Sequence, residues 1–111
     1  MGDLLKLVRT SEVLEGSPVA VKRDGLPPLA VYRVGDELFV TNNICTHGHA
    51  LLTEGYQEGN TIECPFHGGA FDIRTGQPTE FPCVVPLQTY DAVIADDHVC
   101  VTASDHKRGY P

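Results

Sequence analysis

Positive charge is scarce in this chain. Eight Lys and Arg stand against fifteen Asp and Glu over 111 residues, which leaves a formal charge of −7. A surface of that sign repels phosphate backbones and anionic lipid, so neither nucleic acid nor membrane is an expected partner, whereas a protein with a basic docking face is. Long apolar runs are missing too. The opening stretch MGDLLKLVRTSEV is interrupted by Asp3, Lys6 and Arg9, so it lacks the apolar centre of a signal peptide. Lys6 stands where a myristoylation motif wants Ser or Thr. No segment approaches transmembrane length, and a cytoplasmic location is expected. Sustained helical periodicity is also lacking: SEVLEG (11–16) has room for one helical turn before Gly16 and Pro18 stop it. The chain shows no nucleophile elbow, phosphate-binding loop or zinc-protease helix motif, and a single domain of this length has no room for a separate catalytic unit. Independent catalysis is not expected.

What the chain does have is short β-forming segments between turn residues. Apolar residues make up 41% of it, enough for one folded domain spanning 1–111. Val19 and Val21 alternate with Ala20 and Lys22. LAVYRV (29–34) and ELFVT (37–41) flank Gly35-Asp36, a two-residue link suited to a β-hairpin. TIEC (61–64), AFDI (70–73), TYDAVIA (89–95) and HVCVT (98–102) are β-branched or aromatic, and the last two are expected to pair through Asp96-Asp97. Eight prolines and eleven glycines suit an all-β body with many turns. SDHKRGYP (104–111) reads as a loose tail.

Against this scaffold one stretch stands out, CTHGHALLTEGYQEGNTIECPFH (45–67). It opens on Cys45-x-His47 and closes on Cys64-x-x-His67. Thiolate and imidazole both suit zinc, iron and copper. Common zinc modules pair cysteine with cysteine and histidine with histidine, the histidines often on a helix. Here each short motif carries one ligand of each kind, and both fall in loops. Gly48 supplies a turn after His47, Pro65 fixes the backbone after Cys64, and Gly68-Gly69 permits a tight return. A binuclear iron–sulfur centre needs two ligands for each iron, and two mixed pairs would let each loop give one ligand to each. A zinc-stabilised interaction module remains the alternative on these residues alone.

With Gly55-Tyr56 between the motifs and HGGAFDIRTG (67–76) after them, the chain resembles the Rieske-type [2Fe–2S] proteins to about residue 102. Its length makes it similar to the ferredoxin components of bacterial aromatic-ring-hydroxylating dioxygenase systems. The resemblance implies a small antiparallel β-sandwich or barrel carrying a cluster-binding subdomain of two loops, about 43–82, on a base formed by about 1–42 and 83–103. It implies one [2Fe–2S] cluster, with Cys45 and Cys64 on one iron and His47 and His67 on the other. Electrons would come from an NAD(P)H-dependent flavin-containing ferredoxin reductase and pass to a terminal oxygenase. The small subunit of a larger reductase, such as a nitrite reductase, is the second possibility that the family offers.

In the respiratory and photosynthetic branch of that family an extra cysteine in each loop forms a disulfide across the cluster, and Ser and Tyr hydroxyls lie near its sulfurs. The corresponding positions here are His49 and Phe66, and Gly69 and Phe71. Neutral imidazoles in place of thiolates leave such a centre less negative in both oxidation states, which raises its potential. Without the hydroxyls the expected value lies toward the low end of the Rieske range, roughly −150 mV. His49 is expected to be an exposed loop residue and His98 a structural residue on a strand. Cys83 and Cys100 are expected to be core thiols, and FPCVVP (81–86), with Pro82 and Pro86, either a loop covering the cluster from a third side, as the resemblance implies, or the mark of a strand end.

Overall fold

Gly35 and Asp36 turn the chain back as their composition demands. Gly35 takes a positive φ of 61°, and the strands on either side, Leu29–Val34 and Glu37–Asn42, pair from Val34↔Glu37 to Leu29↔Asn42. The computed structural model containing this hairpin describes residues 4–46, 48, 50–66 and 68–102. Within them eleven strands follow in chain order: β1 Leu4–Arg9, β2 Val19–Val21, β3 Leu29–Val34, β4 Glu37–Asn42, β5 Tyr56–Glu58, β6 Thr61–Glu63, β7 Ala70–Asp72, β8 Pro78–Glu80, β9 Thr89–Tyr90, β10 Val93–Ala95 and β11 His98–Thr102. They form three antiparallel sheets, in the orders β1-β11-β10, β2-β3-β4-β9 and β5-β6-β7-β8.

The middle sheet separates two cores, and the alternation along β3 shows how. Side chains of successive strand residues point to opposite faces. Leu29 and Val31 join Leu7, Val21, Val40, Tyr90, Val99 and Val101 in one cluster, against the first sheet. Ala30 and Tyr32 turn the other way, into a second cluster with Leu52, Ile62, Phe71 and Ile73 from the third sheet and its loops. β3 therefore reads as a continuous apolar run because both its faces are covered. Tyr32 is fully buried, and its hydroxyl lies 2.9 Å from Thr41 Oγ1. Since Thr41 spends its own proton on the Asn42 carbonyl, the phenol is the donor.

The turn at Asp96-Asp97 also forms, with both residues at positive φ and Ala95 opposite His98. Aspartate tolerates that region better than most side chains. Other expectations needed correction. TYDAVIA is not one strand: Thr89–Tyr90 closes the middle sheet against β4, and Val93–Ala95 belongs to the first sheet beside β11. Asp91-Ala92 carries the chain from one sheet to the other. The N-terminal segment, notable in the sequence only for charges that exclude a signal peptide, is a strand paired with β11 from Leu4↔Thr102 to Arg9↔His98. Lys6 and Arg9 fit there because β1 is an edge strand with one face in water. The strands Tyr56–Glu58 and Pro78–Glu80 carried too few apolar residues to be noticed. The helical turn expected within 11–16 is instead a 3-10 turn at Thr10–Glu12, and another 3-10 turn occurs at Leu52–Glu54. Among the described residues no helix is long and apolar enough to cross a membrane. The tail expected at 104–111 lies outside the described residues.

Candidate metal centre

Cys45 and Cys64 are presented by two loops that the backbone closes independently. The first leaves β4 at Asn43, a buried side chain whose Oδ1 accepts the Thr53 N–H at 2.9 Å while its Nδ2 donates to Thr53 Oγ1 at 3.0 Å. Its main chain is held on both sides: Asn43 N–H donates to Pro28 O at 2.9 Å, and Leu52 N–H donates to Asn43 O at 2.7 Å. Inside this clamp Cys45 N–H donates to Ala50 O at 2.9 Å, and Gly48 N–H returns to Cys45 O at 3.3 Å. The second loop joins β6 to β7, where Cys64 N–H donates to Gly69 O at 2.7 Å across a turn with Gly68 at φ 75°. Gly55 seals the seam between the loops, since a Cβ there would collide with the Glu63 carbonyl oxygen.

Both thiols are free and buried in the core cluster beneath the loops. Burial pushes the Cys64 thiol up. A hydrogen bond from the Phe66 backbone N–H works against that by favouring thiolate, while the Cys45 sulfur and the Glu63 carboxylate add to the rise. Two sulfurs this close and this dry become thiolates together when a cation lies between them. With a backbone N–H already aimed at one of them, the donor set fits a thiophilic metal centre. His47 and His67, the imidazoles of the two motifs, lie outside the described residues, as does His49.

A third loop, 81–88, closes the site from the side. It starts after β8 with a cis Phe81-Pro82 bond. Its base is pinned where Leu87 N–H donates to Gly76 O at 2.7 Å. Gly76 has a φ of 79°, and a Cβ on it would strike the Leu87 carbonyl. The loop also reaches the first ligand loop directly, Thr46 Oγ1 donating to Val85 O at 2.8 Å. FPCVVP therefore packs where the sequence expected a covering loop. Phe66, Phe81, Val84 and Val85 are exposed around it, Phe81 at 84% of its full surface, and together they give this end of the molecule an apolar rim.

Cys83 and Cys100 are both buried, as expected of core thiols. They differ in what they touch. Cys100 donates to the His98 carbonyl at 3.7 Å, and His98 itself sits on β11 with Nδ1 2.7 Å from Asp96 O. The sulfur of Cys83 lies 3.8 Å from that of Cys45. Burial, together with the neighbouring Cys45 and Cys64 sulfurs, pushes its thiol up to about 12. This contact departs from the expectation of an ordinary core thiol. Its signal was the bracketing of Cys83 by Pro82 and Pro86, which confines the thiol to a short loop already expected to face the centre.

Beside the second loop, a groove of about 560 Å³ runs over the outer side of the third sheet, lined by Tyr56, Glu58, Glu63, Thr79 and Glu80 among others. It is acidic and open.

The chain is similar to known proteins along most of its length. Residues 3–91 match the family model of the Rieske [2Fe-2S] domain. The chain is 47% identical over 88 residues to the anthranilate 1,2-dioxygenase ferredoxin subunit of Burkholderia cepacia, covering 79% of this chain and 81% of that one. The solved Sphingomonas yanoikuyae B1 ferredoxin is 53% identical, covers 90% of this chain and 98% of its own, and superposes with a TM-score of 0.89. A chain from the complex of reduced oxygenase and oxidized ferredoxin in carbazole 1,9a-dioxygenase is 46% identical with a TM-score of 0.84, covering 90% and 93%.

Proposed function

We propose, for a chain that belongs to the Rieske [2Fe-2S] family, that Cys45, His47, Cys64 and His67 hold its cluster, the two cysteines on one iron and the two histidines on the other. The protein is a ferredoxin component of an aromatic-ring dioxygenase system, an electron carrier without catalysis of its own. The cluster-binding part is the segment 43–82, and residues 1–42 and 83–103 are its base. When bound, the cluster takes up and gives up one electron at a time.

The chain's own residues supply rigidity, dryness and access. The Asn43 clamp and the Cys64–Gly69 turn hold the two sulfurs in place. Leu52, Ile62, Phe71 and Leu87 exclude water beneath them. The rim of Phe66, Phe81, Val84 and Val85 offers an apolar face at the same end, where a brief electron-transfer encounter of small area can form. The terminal oxygenase is the acceptor, as the carbazole complex suggests, and an NAD(P)H-dependent flavin reductase is the donor. A cytoplasmic site of action follows from that supply of NAD(P)H. Relatives 47% identical are ferredoxin subunits, which favours the shuttle over both a zinc module and a reductase small subunit.

The observation that carries the ligand assignment is the convergence of two buried thiols from two separately closed loops. Iron and acid-labile sulfide analysis, with EPR of the dithionite-reduced protein, tests it. Alanine at any one of the four positions should abolish the rhombic signal and the bound sulfide. Full retention by any single variant removes that residue from the set.

A further inference from the structure

The thiol of Cys83 belongs neither to the two ligand motifs nor to an ordinary core contact. Its backbone N–H is already used, donating to Glu80 O at 3.1 Å. Its side chain is held over Gly69, where a Cβ would run into the Cys83 sulfur. That glycine therefore leaves the space the thiol occupies. From there the sulfur faces that of Cys45 at 3.8 Å, in a pocket where both cysteines are almost fully buried. The Cys45 sulfur is thus an acceptor within hydrogen-bond reach of this thiol. Cys100, by contrast, has a carbonyl. A buried S–H without water turns to the acceptor it has.

We propose that Cys83 is a positioning residue for electron uptake, its thiol donating an S–H···S hydrogen bond to the Cys45 sulfur and so favouring the reduced state of the centre that this sulfur binds. The proposal rests on Cys45 being a ligand. A donor aimed at a ligand sulfur gains strength as negative charge accumulates there, so it stabilises the reduced form more than the oxidised one. The three tight loops hold donor and acceptor in place, so little reorganisation is needed on reduction.

Wild type, Cys83→Ala and Cys83→Ser are compared for iron and sulfide content, EPR and midpoint potential. Both variants should keep the cluster. In Cys83→Ala the reduction equilibrium constant should fall about three- to tenfold, equivalent to about 28–59 mV for one electron. Cys83→Ser retains a donor and should stay closer to wild type. An alanine variant with the wild-type potential overturns the proposal. So does an equal fall in both variants, which marks a packing effect. The infrared S–H bands of wild type give a readout that needs no folded Cys83 variant. Cys83 and Cys100 are the two cysteines outside the ligand set, and Cys100→Ala assigns their bands. The Cys83 band should shift on reduction while the Cys100 band stays. A stationary Cys83 band overturns the proposal even where both variants fail to fold. Retention of full iron and sulfide by Cys45→Ala would instead overturn the ligand assignment, and the proposal with it.

Discussion

Tyr32 shows how one side chain ties stability to pH. Its phenol is fully buried and donates to Thr41, and burial raises its pKa well above the usual tyrosine range. Below about pH 10 the phenol is neutral in folded and unfolded chains alike, and its contribution is complete. Above that, the unfolded chain releases the proton while the folded one retains it, so stability falls as pH rises. Tyr32→Phe should lose roughly 1 kcal/mol at neutral pH with the hydrogen bond. It should also show a shallower decline between about pH 10 and 11. Urea midpoints for the two proteins across that interval check the point, and parallel declines would contradict it. Cys45 and Cys64 stood out beforehand by the spacing of their motifs, and both are buried in the core cluster beneath the two loops, which is what their proposed part as ligands requires. Cys83 did not stand out. Its contact with Cys45 joins residues 38 positions apart along the chain, which no local pattern encodes.

At the level of elements, the loop 81–88 depends on a single glycine at its base. Gly76 combines a left-handed φ with contact against the Leu87 carbonyl. Gly76→Ala therefore meets two penalties, roughly 1–2 kcal/mol for the backbone and roughly 1–3 kcal/mol for overpacking. Chemical denaturation should show a loss of roughly 2–5 kcal/mol, with faster bleaching of the visible spectrum in air as the loop loosens. A neutral substitution would mean that the loop is held elsewhere. The strands divide along similar lines into legible and hidden. LAVYRV and HVCVT were readable because burial on one or both faces demands apolar, β-branched residues. Tyr56–Glu58 and Pro78–Glu80 are the edges of a small sheet facing solvent, so polar residues suffice there. TYDAVIA misled for another reason. Its residues favour extended backbone throughout, and only tertiary pairing sends its two halves to different sheets.

For the whole molecule, charge and shape act on different stages of an encounter. A formal charge of −7 should steer the carrier toward a basic partner over distances comparable to the Debye length, about 10 Å at 0.1 M salt. The apolar rim acts only on contact and is insensitive to screening. Turnover reconstituted with reductase and oxygenase should therefore fall as salt rises and then level off above zero, rather than vanish. A rate independent of ionic strength would leave the acidic surface without a part in association. The pairing of Leu4 with Thr102 has a different kind of consequence. Both strands belong to the first sheet, which contributes Leu7, Val99 and Val101 to the core on the far side of β3 from the two cysteines. A short flexible connector could weld these neighbouring positions and let the polypeptide be reopened at an exposed turn such as Gly35-Asp36. Equally, a reductase fused there would be leashed at high local concentration while the apolar end remained uncovered to receive it.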